Sequence, residues 1–589
     1  MSGSLLINSA NPHQSNRGWR EAMQRSLPGR WRKIIARRID ELDARYSNWE
    51  KGNALLKDIV KDYADAMLPL DATLDDIRSF AALRAIEAHN IVGRLIETSI
   101  VVSELRILCK RFKVKEPEDV TAGGYIARLS DPGWWASRLI RMHSQAVEAG
   151  AIKLGLVSGR TDKYVSNENF RRRLAQNARN AAMLERTYAV NEDGETFTLA
   201  QLSEKTVANP VIRRGEMMLR MRGMEEIGDE FGCAVDWCVI TAPSRFHAMR
   251  ANGFANEKYD GATPKDTHNY LQTQWQRCRT YLANRGVEYF GLRTVEAHQD
   301  GTPHWNIMVF IKDPAHRRTW RQAVTKYFLL NDSPNEKGAA QRRLKFDRVT
   351  KEKGGAAAYI AKYISKNVDG VGIEYDLYGD PIVTTTQRVQ AWARTWRFKQ
   401  FQPIGSAPVG IWREMRKIEE AEAMKAPEHF QRAWRAAQRV DSDIEGESKR
   451  ADYAEYIRAY GGPFVKRKNA KLWLIKEEQA GLGKYGEALG ERTAGVGCQG
   501  LIEVDKGGIV GLIKLVASIV VKGVHRQWTI VRSKGVEIAL SRTRVNNCTR
   551  ERADDAETRE ASMRADCAPL ANNDDWAGGG YFESEWRPK

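Results

Sequence analysis

Cysteine is scarce in this 589-residue chain: seven scattered residues, at positions 109, 233, 238, 278, 498, 548 and 567, an odd number with no CxxC pair. That excludes a thiolate zinc ribbon and a disulfide framework, and it suits a reducing cytoplasm. Long apolar runs are also missing. The most apolar stretch, IVGLIKLVASIVV at 509–521, is short and carries Lys514, so it cannot span a bilayer and no membrane partner is expected. The opening MSGSLLINSANPHQSNRGWR lacks a charged region followed by an apolar stretch and a cleavage site, so no signal peptide is expected. A helicase would need a GxxxxGK loop followed by Ser or Thr; the nearest candidate, GLGKYGE at 481–487, has Tyr485 after its lysine and no glycine at 478. No ATPase is therefore expected. Negative charge is in deficit too: 75 Asp and Glu face 93 Lys and Arg, a net +18 with a pI near 9.5. Such a balance favours a polyanionic partner, most simply nucleic acid, over an acidic membrane surface.

A chain of this length exceeds one ordinary core, and about two to four domains are expected. Residues 1–225 read as a basic, mostly helical region. In GRWRKIIARRIDELDARY, for instance, Trp31, Ile34, Ile35, Ile39 and Leu42 follow helical spacing while arginines fill the other face. Near 226 the character turns to strands. VDWCVITAPS is β-rich and stops at Pro243; THNYLQTQWQRCRTYLANRG follows as a helix, with Leu271, Trp275, Cys278 and Leu282 on one stripe and Gly286 as its stop. Then come VEYFGLRTVEAH and HWNIMVFI, two strands whose Asp300-Gly301 connection is a hairpin signal. This second region spans 226–410, a charged helical region 411–480, and a glycine-accumulating C-terminal region 481–589, with a mobile tail expected over 549–575. There is no internal repeat.

The hairpin poses a chemical question. His304, Asn306, Met308 and Phe310 share one face of the second strand, and Trp305, Ile307, Val309 and Ile311 the other. On the first strand Glu296 and His298 are likewise two apart, and a tight turn brings them within cross-strand reach of His304 and Asn306. A lone strand histidine is more often structural, but four converging groups argue for a site. Imidazole nitrogen with amide and carboxylate oxygens makes a mixed donor set suited to a divalent metal such as Mg²⁺ or Mn²⁺.

The second constellation is GAAAYIAKYISKNVDG at 355–370. Tyr359 and Tyr363 are four apart on a predicted helix, hence on one face, with Lys362 and Lys366 as a neighbouring stripe. Aromatics at this spacing usually serve a core. Beside a metal patch, however, tyrosine is a competent nucleophile towards phosphorus when cations neutralise the phosphate.

VITAP, EAHQDGTPHWN and YIAKYISKN, in that order, resemble the three motifs of HUH endonucleases that start rolling-circle replication. With WWASRLIR, ANPVIRRGEMMLRMRGMEEI, WCVITAPSRFHAM, YIAKYISKNVDG and AWARTWRFKQFQPIG they resemble, over about residues 130–410, the bacteriophage replication gene A protein family. The resemblance implies an α+β fold built on an antiparallel RRM-like sheet with helices on one face. It also implies a site-specific single-strand DNA endonuclease and ligase acting at a phage origin in a bacterial cytoplasm, with a host helicase and polymerase as partners. One tyrosine would attack the scissile phosphodiester, leaving a 3′-hydroxyl for the polymerase and a 5′-phosphotyrosine link; the second would later close the displaced strand. Tyr359 and Tyr363 are then the nucleophiles, and Lys362 an electrostatic aid near the phosphate. The family's pattern is His-hydrophobic-His, whereas this chain has His304, Trp305 and Asn306, which leaves metal preference open. Glu296, eight residues before His304, resembles the third ligand, and His298 is its rival. Two other readings stand beside this one: a non-catalytic origin-binding protein, and a metal-dependent nuclease using water, for which the tyrosines would be core.

Overall fold

The computed structural model describes residues 12–25, 27–64, 68–350, 354–370, 381–438, 440–441, 448–449, 451–504, 513–532, 536–544 and 547–550. These fall into two compact units, one ending at Leu154 and the other beginning at Gly155. Of the tail expected over 549–575, residues 549 and 550 end strand Asn547–Arg550, and the rest, like the glycines at 505–512, lies outside the described residues.

The first unit is helical. Helix Gly29–Tyr46 buries Trp31, Ile35 and Ile39, the stripe predicted from spacing. Helix Leu74–Arg94 opens on a reciprocal cap: the Asp76 amide donates to the Thr73 hydroxyl at 3.1 Å and the Thr73 amide to the Asp76 carboxylate at 2.8 Å. Its Ile77, Ala81 and Ala85 share one core with Trp134, Trp135 and Leu139 of helix Pro132–Lys153.

The second unit is organised around an antiparallel sheet. In chain order its elements are α1 (Pro210–Glu230), β1 (Ala234–Thr241), α2 (Pro264–Ala283), β2 (Tyr289–Ala297), β3 (Pro303–Ile311), α3 (Arg317–Thr325), β4 (Leu344–Arg348), α4 (Gly355–Val368), α5 (Ile382–Trp396) and β5 (Phe401–Ile404). The strands lie in the order β4-β1-β3-β2-β5. On one face Trp237, Leu292, Met308 and Phe310 share a core with Met221, Met224 and Ile227 of α1 and Ile360 and Ile364 of α4. On the other, Trp305 donates its indole N–H to His268 of α2 at 3.4 Å and packs on Phe328 just beyond α3.

Helices thus cover both faces, where a single covered face was expected. The cause is visible in HWNIMVFI: apolar residues occupy both its alternating sets, and β2 and β3 are buried almost throughout. A strand that is apolar on both sides must be covered on both sides.

Strands also occur where helices or loops were read. Hairpin Thr187–Asn191 and Thr196–Thr198 interrupts the helical stretch before 225 and pairs with Trp528–Arg532. Leu472–Glu477, Arg492–Val504 and Ile513–Lys522 form a further antiparallel sheet. Among the described residues no helix is long and apolar enough to cross a membrane.

Gly291 shows how tightly β2 meets β3: a Cβ there would lie 2.0 Å from the Met308 carbonyl oxygen. Gly291→Ala is expected to cost about 3 kcal/mol, as overpacking against backbone that cannot yield, read as a lower urea midpoint of the intact chain. An unchanged midpoint would mean the two strands can part without cost.

Candidate active site

The turn that joins β2 to β3 fixes the register of the polar face. The His298 amide donates to the Thr302 carbonyl at 2.8 Å, the Gly301 amide to the His298 carbonyl at 2.9 Å, and Gly301 takes φ +80°, the left-handed region that glycine enters freely. Glu296 therefore stands directly opposite His304, and Asn306 opposite Thr294. His298 falls at the turn, beyond the last paired position of the strand, and its ring lies 4.3 Å from that of His304, within the cross-strand reach expected.

Glu296 is the hub. It is 3% exposed, and its carboxylate accepts the Asn306 amide at 3.3 Å and the Asn367 amide at 2.7 Å, with His304 Nε2 at 3.5 Å. Burial by itself would raise this carboxyl, but the Lys366 ammonium, His304 and the Asn367 amide together pull it down to about 2, so it is ionised at neutral pH. His298 is held well below the usual imidazole range by burial and by the neighbouring His304 and His247. Its Nε2 lies 3.5 Å from the Thr241 hydroxyl, and His247 in turn meets Asp300 at 3.0 Å.

The tyrosine helix α4 crosses this face and is held at both ends by α1. Its N-terminus follows Gly354 and Gly355, both at positive φ, and the Ala356 and Ala357 amides donate to the Glu225 carboxylate at 2.5 and 3.2 Å. Beyond its C-terminus Asp369 pairs with Arg214 at 2.8 Å. From α5, Gln390 donates to the Val368 carbonyl at 2.8 Å and Trp392 to the Gly301 carbonyl at 2.8 Å, so one helix steadies both the tyrosine helix and the hairpin turn.

Tyr359 and Tyr363 bracket the indole of Trp237, each ring centroid 5.0 Å from it. Their surroundings differ. The Tyr359 hydroxyl donates to Asp347 of β4 at 3.1 Å, and burial with that carboxylate pushes it up to about 12. Tyr363 is raised further, by burial first and then by Glu296, so it is the tyrosine that feels the hub. Lys366 lies 5.3 Å from the ring centre of Tyr164. The side chain of Lys362 lies outside the described residues.

Several of these residues escape sequence reasoning. Asn367 is held by the Glu296 contact and by Gln400, whose amide donates to its oxygen at 2.9 Å. Tyr164, Asp347 and Glu225 come from distant segments. Only Lys366 carried a local signal, the i+4 stripe with Lys362.

A divalent cation fits this patch in kind. His304 offers a nitrogen, with a buried Nδ1 that has no hydrogen-bond partner, and Glu296 and Asn306 offer oxygens. Among the described residues no three His, Cys, Asp or Glu side chains are grouped as a metal cage. A cation held here would therefore need the Asn306 amide and oxygens brought by a substrate.

Comparison with known proteins follows the same segment. The family described as bacteriophage replication gene A protein matches residues 53–371. The replication gene A protein of Escherichia phage 186 is 31% identical over 442 residues, 73% of this chain and 60% of the relative. The replication protein of Haemophilus phage HP1 is 35% identical over 373 residues, 62% of this chain and 45% of the relative. A Salmonella typhimurium protein named "Probable replication endonuclease from prophage-like region" is 29% identical over 371 residues, covering 61% and 46%. The chain thus spans roughly half the length of these curated relatives. No solved structure matches.

Proposed function

Because the chain belongs to the bacteriophage replication gene A protein family, we propose that it is a replication initiator that nicks one DNA strand at a phage origin and later rejoins it. Its nucleophiles are Tyr359 and Tyr363, and its sheet is the RRM-like core of an HUH endonuclease. The observation that carries this reading is the juxtaposition of the Glu296, His304 and Asn306 patch with a helix whose two tyrosines share one indole.

A tyrosine Oη attacks the scissile phosphorus, the phenolic proton leaves as the O–P bond forms, and the bond to the 3′-oxygen breaks. That oxygen departs as a 3′-hydroxyl after taking a proton, and the 5′-phosphate stays on the tyrosine. At a second origin copy the other tyrosine repeats the attack, and the 3′-hydroxyl so released displaces the first tyrosine, closing the strand. Tyr363, whose carbonyl accepts at 2.6 Å from the same Asn367 amide that donates to Glu296 at 2.7 Å, is the first nucleophile. Tyr359, with Asp347 as an acceptor 3.1 Å from its hydroxyl, is the second. Burial raises both phenols further above neutral pH, so each must lose its proton as the O–P bond forms. Glu296, His304 and Asn306 would hold Mg²⁺ or Mn²⁺, which would supply charge neutralisation at the phosphate. Glu296 is the third donor in preference to His298, since its carboxylate meets both His304 and Asn306. Lys366 and Lys362 add positive charge on the same helix. Strand separation and synthesis fall to a host helicase and polymerase in the bacterial cytoplasm.

The test is a denaturing gel of labelled single-stranded oligonucleotides tiling the gene, incubated with protein and Mg²⁺ or Mn²⁺. Label migrating with protein after boiling supports the reading; cleavage without an adduct contradicts it. Asn306 carries a separate expectation. Asn306→His restores two imidazoles and should raise activity with Mn²⁺ relative to Mg²⁺ by about tenfold, because nitrogen donors favour the softer ion. An unchanged ratio would remove Asn306 from the donor set.

A further inference from the structure

The opposite face of the sheet carries a second cationic feature. Asp236 and Trp237 are neighbours on β1 and point to opposite sides: Trp237 lies between the tyrosines, while Asp236, fully buried, receives Arg321 at 2.6 and 2.9 Å and Arg317 at 3.8 Å. One carboxylate thus anchors two guanidiniums and leaves charge over. Around them lies a groove of about 910 Å³ lined also by Arg318, Lys326 and Tyr281, with no acidic residue in its lining. Arg318 and Lys326 are exposed, and neither is paired with a carboxylate among the described residues. Burial holds Arg317 below the usual guanidinium range, with Asp236 opposing that shift and Arg348 and Arg321 adding to it.

A solvated basic helix face is the plain alternative. Three features speak against it: the surface is concave, its guanidiniums are fixed by a buried acid, and its aromatic is not free to stack. The Arg285 guanidinium lies 3.6 Å and the Lys326 ammonium 4.9 Å from the centre of the Tyr281 ring. The groove therefore offers fixed cations without a base-stacking platform, a chemistry that selects phosphate and not base.

We infer that this groove binds the phosphodiester backbone of DNA flanking the nick, without regard to sequence. The few nucleotides at the tyrosines cannot reach it, since the sheet stands between. It would hold the strand or duplex on its way to or from the site. For the nature of its polyanion the inference rests on the proposed nicking function.

The experiment measures binding of fluorescent DNA to the full chain carrying Tyr359→Phe and Tyr363→Phe, with and without Arg318→Glu and Lys326→Glu. The probes are oligo(dT) of about 10 and about 40 nucleotides and a duplex of about 40 base pairs, each across a salt series. The charge reversals should leave the short probe within about twofold and weaken at least one long probe about tenfold or more, with a salt slope smaller by about two. Loss on the long single strand identifies the displaced strand as the ligand; loss on the duplex identifies the flanking duplex. Unchanged binding of both long probes, or an equal loss on the short one, overturns the inference. Because no probe is cut, the two readings fail separately: absence of adduct with the unaltered chain on the denaturing gel would refute the nicking reading, while loss of long-probe binding on charge reversal would leave the groove standing.

Discussion

Tyr363→Phe should lower the rate of the first nick by about 10³-fold or more, with no covalent product, while Tyr359→Phe should nick within about tenfold of the unaltered chain and accumulate adduct without rejoining. The asymmetry follows from the neighbours of the two tyrosines. Tyr363 is linked to Glu296 through Asn367, which donates to both the Glu296 carboxylate at 2.7 Å and the Tyr363 carbonyl at 2.6 Å, whereas Tyr359 is tied to Asp347 on strand β4. Removing one oxygen from either ring leaves the packing on Trp237 in place, so the variants isolate chemistry from folding. Equal defects in the two single variants would show that the tyrosines exchange freely. Normal cleavage by the double variant would return both to the core.

Glu296→Gln should reduce cleavage about 10²-fold and raise the Mg²⁺ needed for half-maximal activity by about 10- to 100-fold. The side chain keeps its shape but loses the charge that His304, Asn306, Asn367 and Lys366 converge upon. Raised Mg²⁺ should recover part of the activity, which a purely structural lesion would not allow. If activity fell with an unchanged metal requirement, Glu296 would be a positioning group and His298 the better donor.

The local parts of this site were legible in the sequence. The Asp300-Gly301 turn, the shared face of His304 and Asn306, and the i+4 spacing of the tyrosines are all properties of short segments, and each is present as read. Register was the first limit: spacing alone could not say that the turn would absorb His298 and set Glu296, not His298, against His304. Long-range assembly was the second. Glu225 at the start of the tyrosine helix, Asn367 on the hub and the α2 and α3 cover on the back of the sheet join segments tens to more than a hundred residues apart. Nothing in their own neighbourhoods marks them. The hairpin at 187–198, which finds its partner at 528–532, was lost for the same reason.

The most direct test of the central claim is to identify the atom that carries the DNA. The boiled adduct is digested with nuclease and trypsin and its peptides weighed. Cleavage after Lys362 and Lys366 separates the tyrosines, Tyr359 into GGAAAYIAK and Tyr363 into YISK, so the two attachments are distinguishable by mass. The account requires a 5′-nucleotide on YISK in a single-turnover reaction, and on GGAAAYIAK once a second origin copy is supplied. DNA cut to a free 5′-phosphate with both peptides unmodified would contradict it and make water the nucleophile.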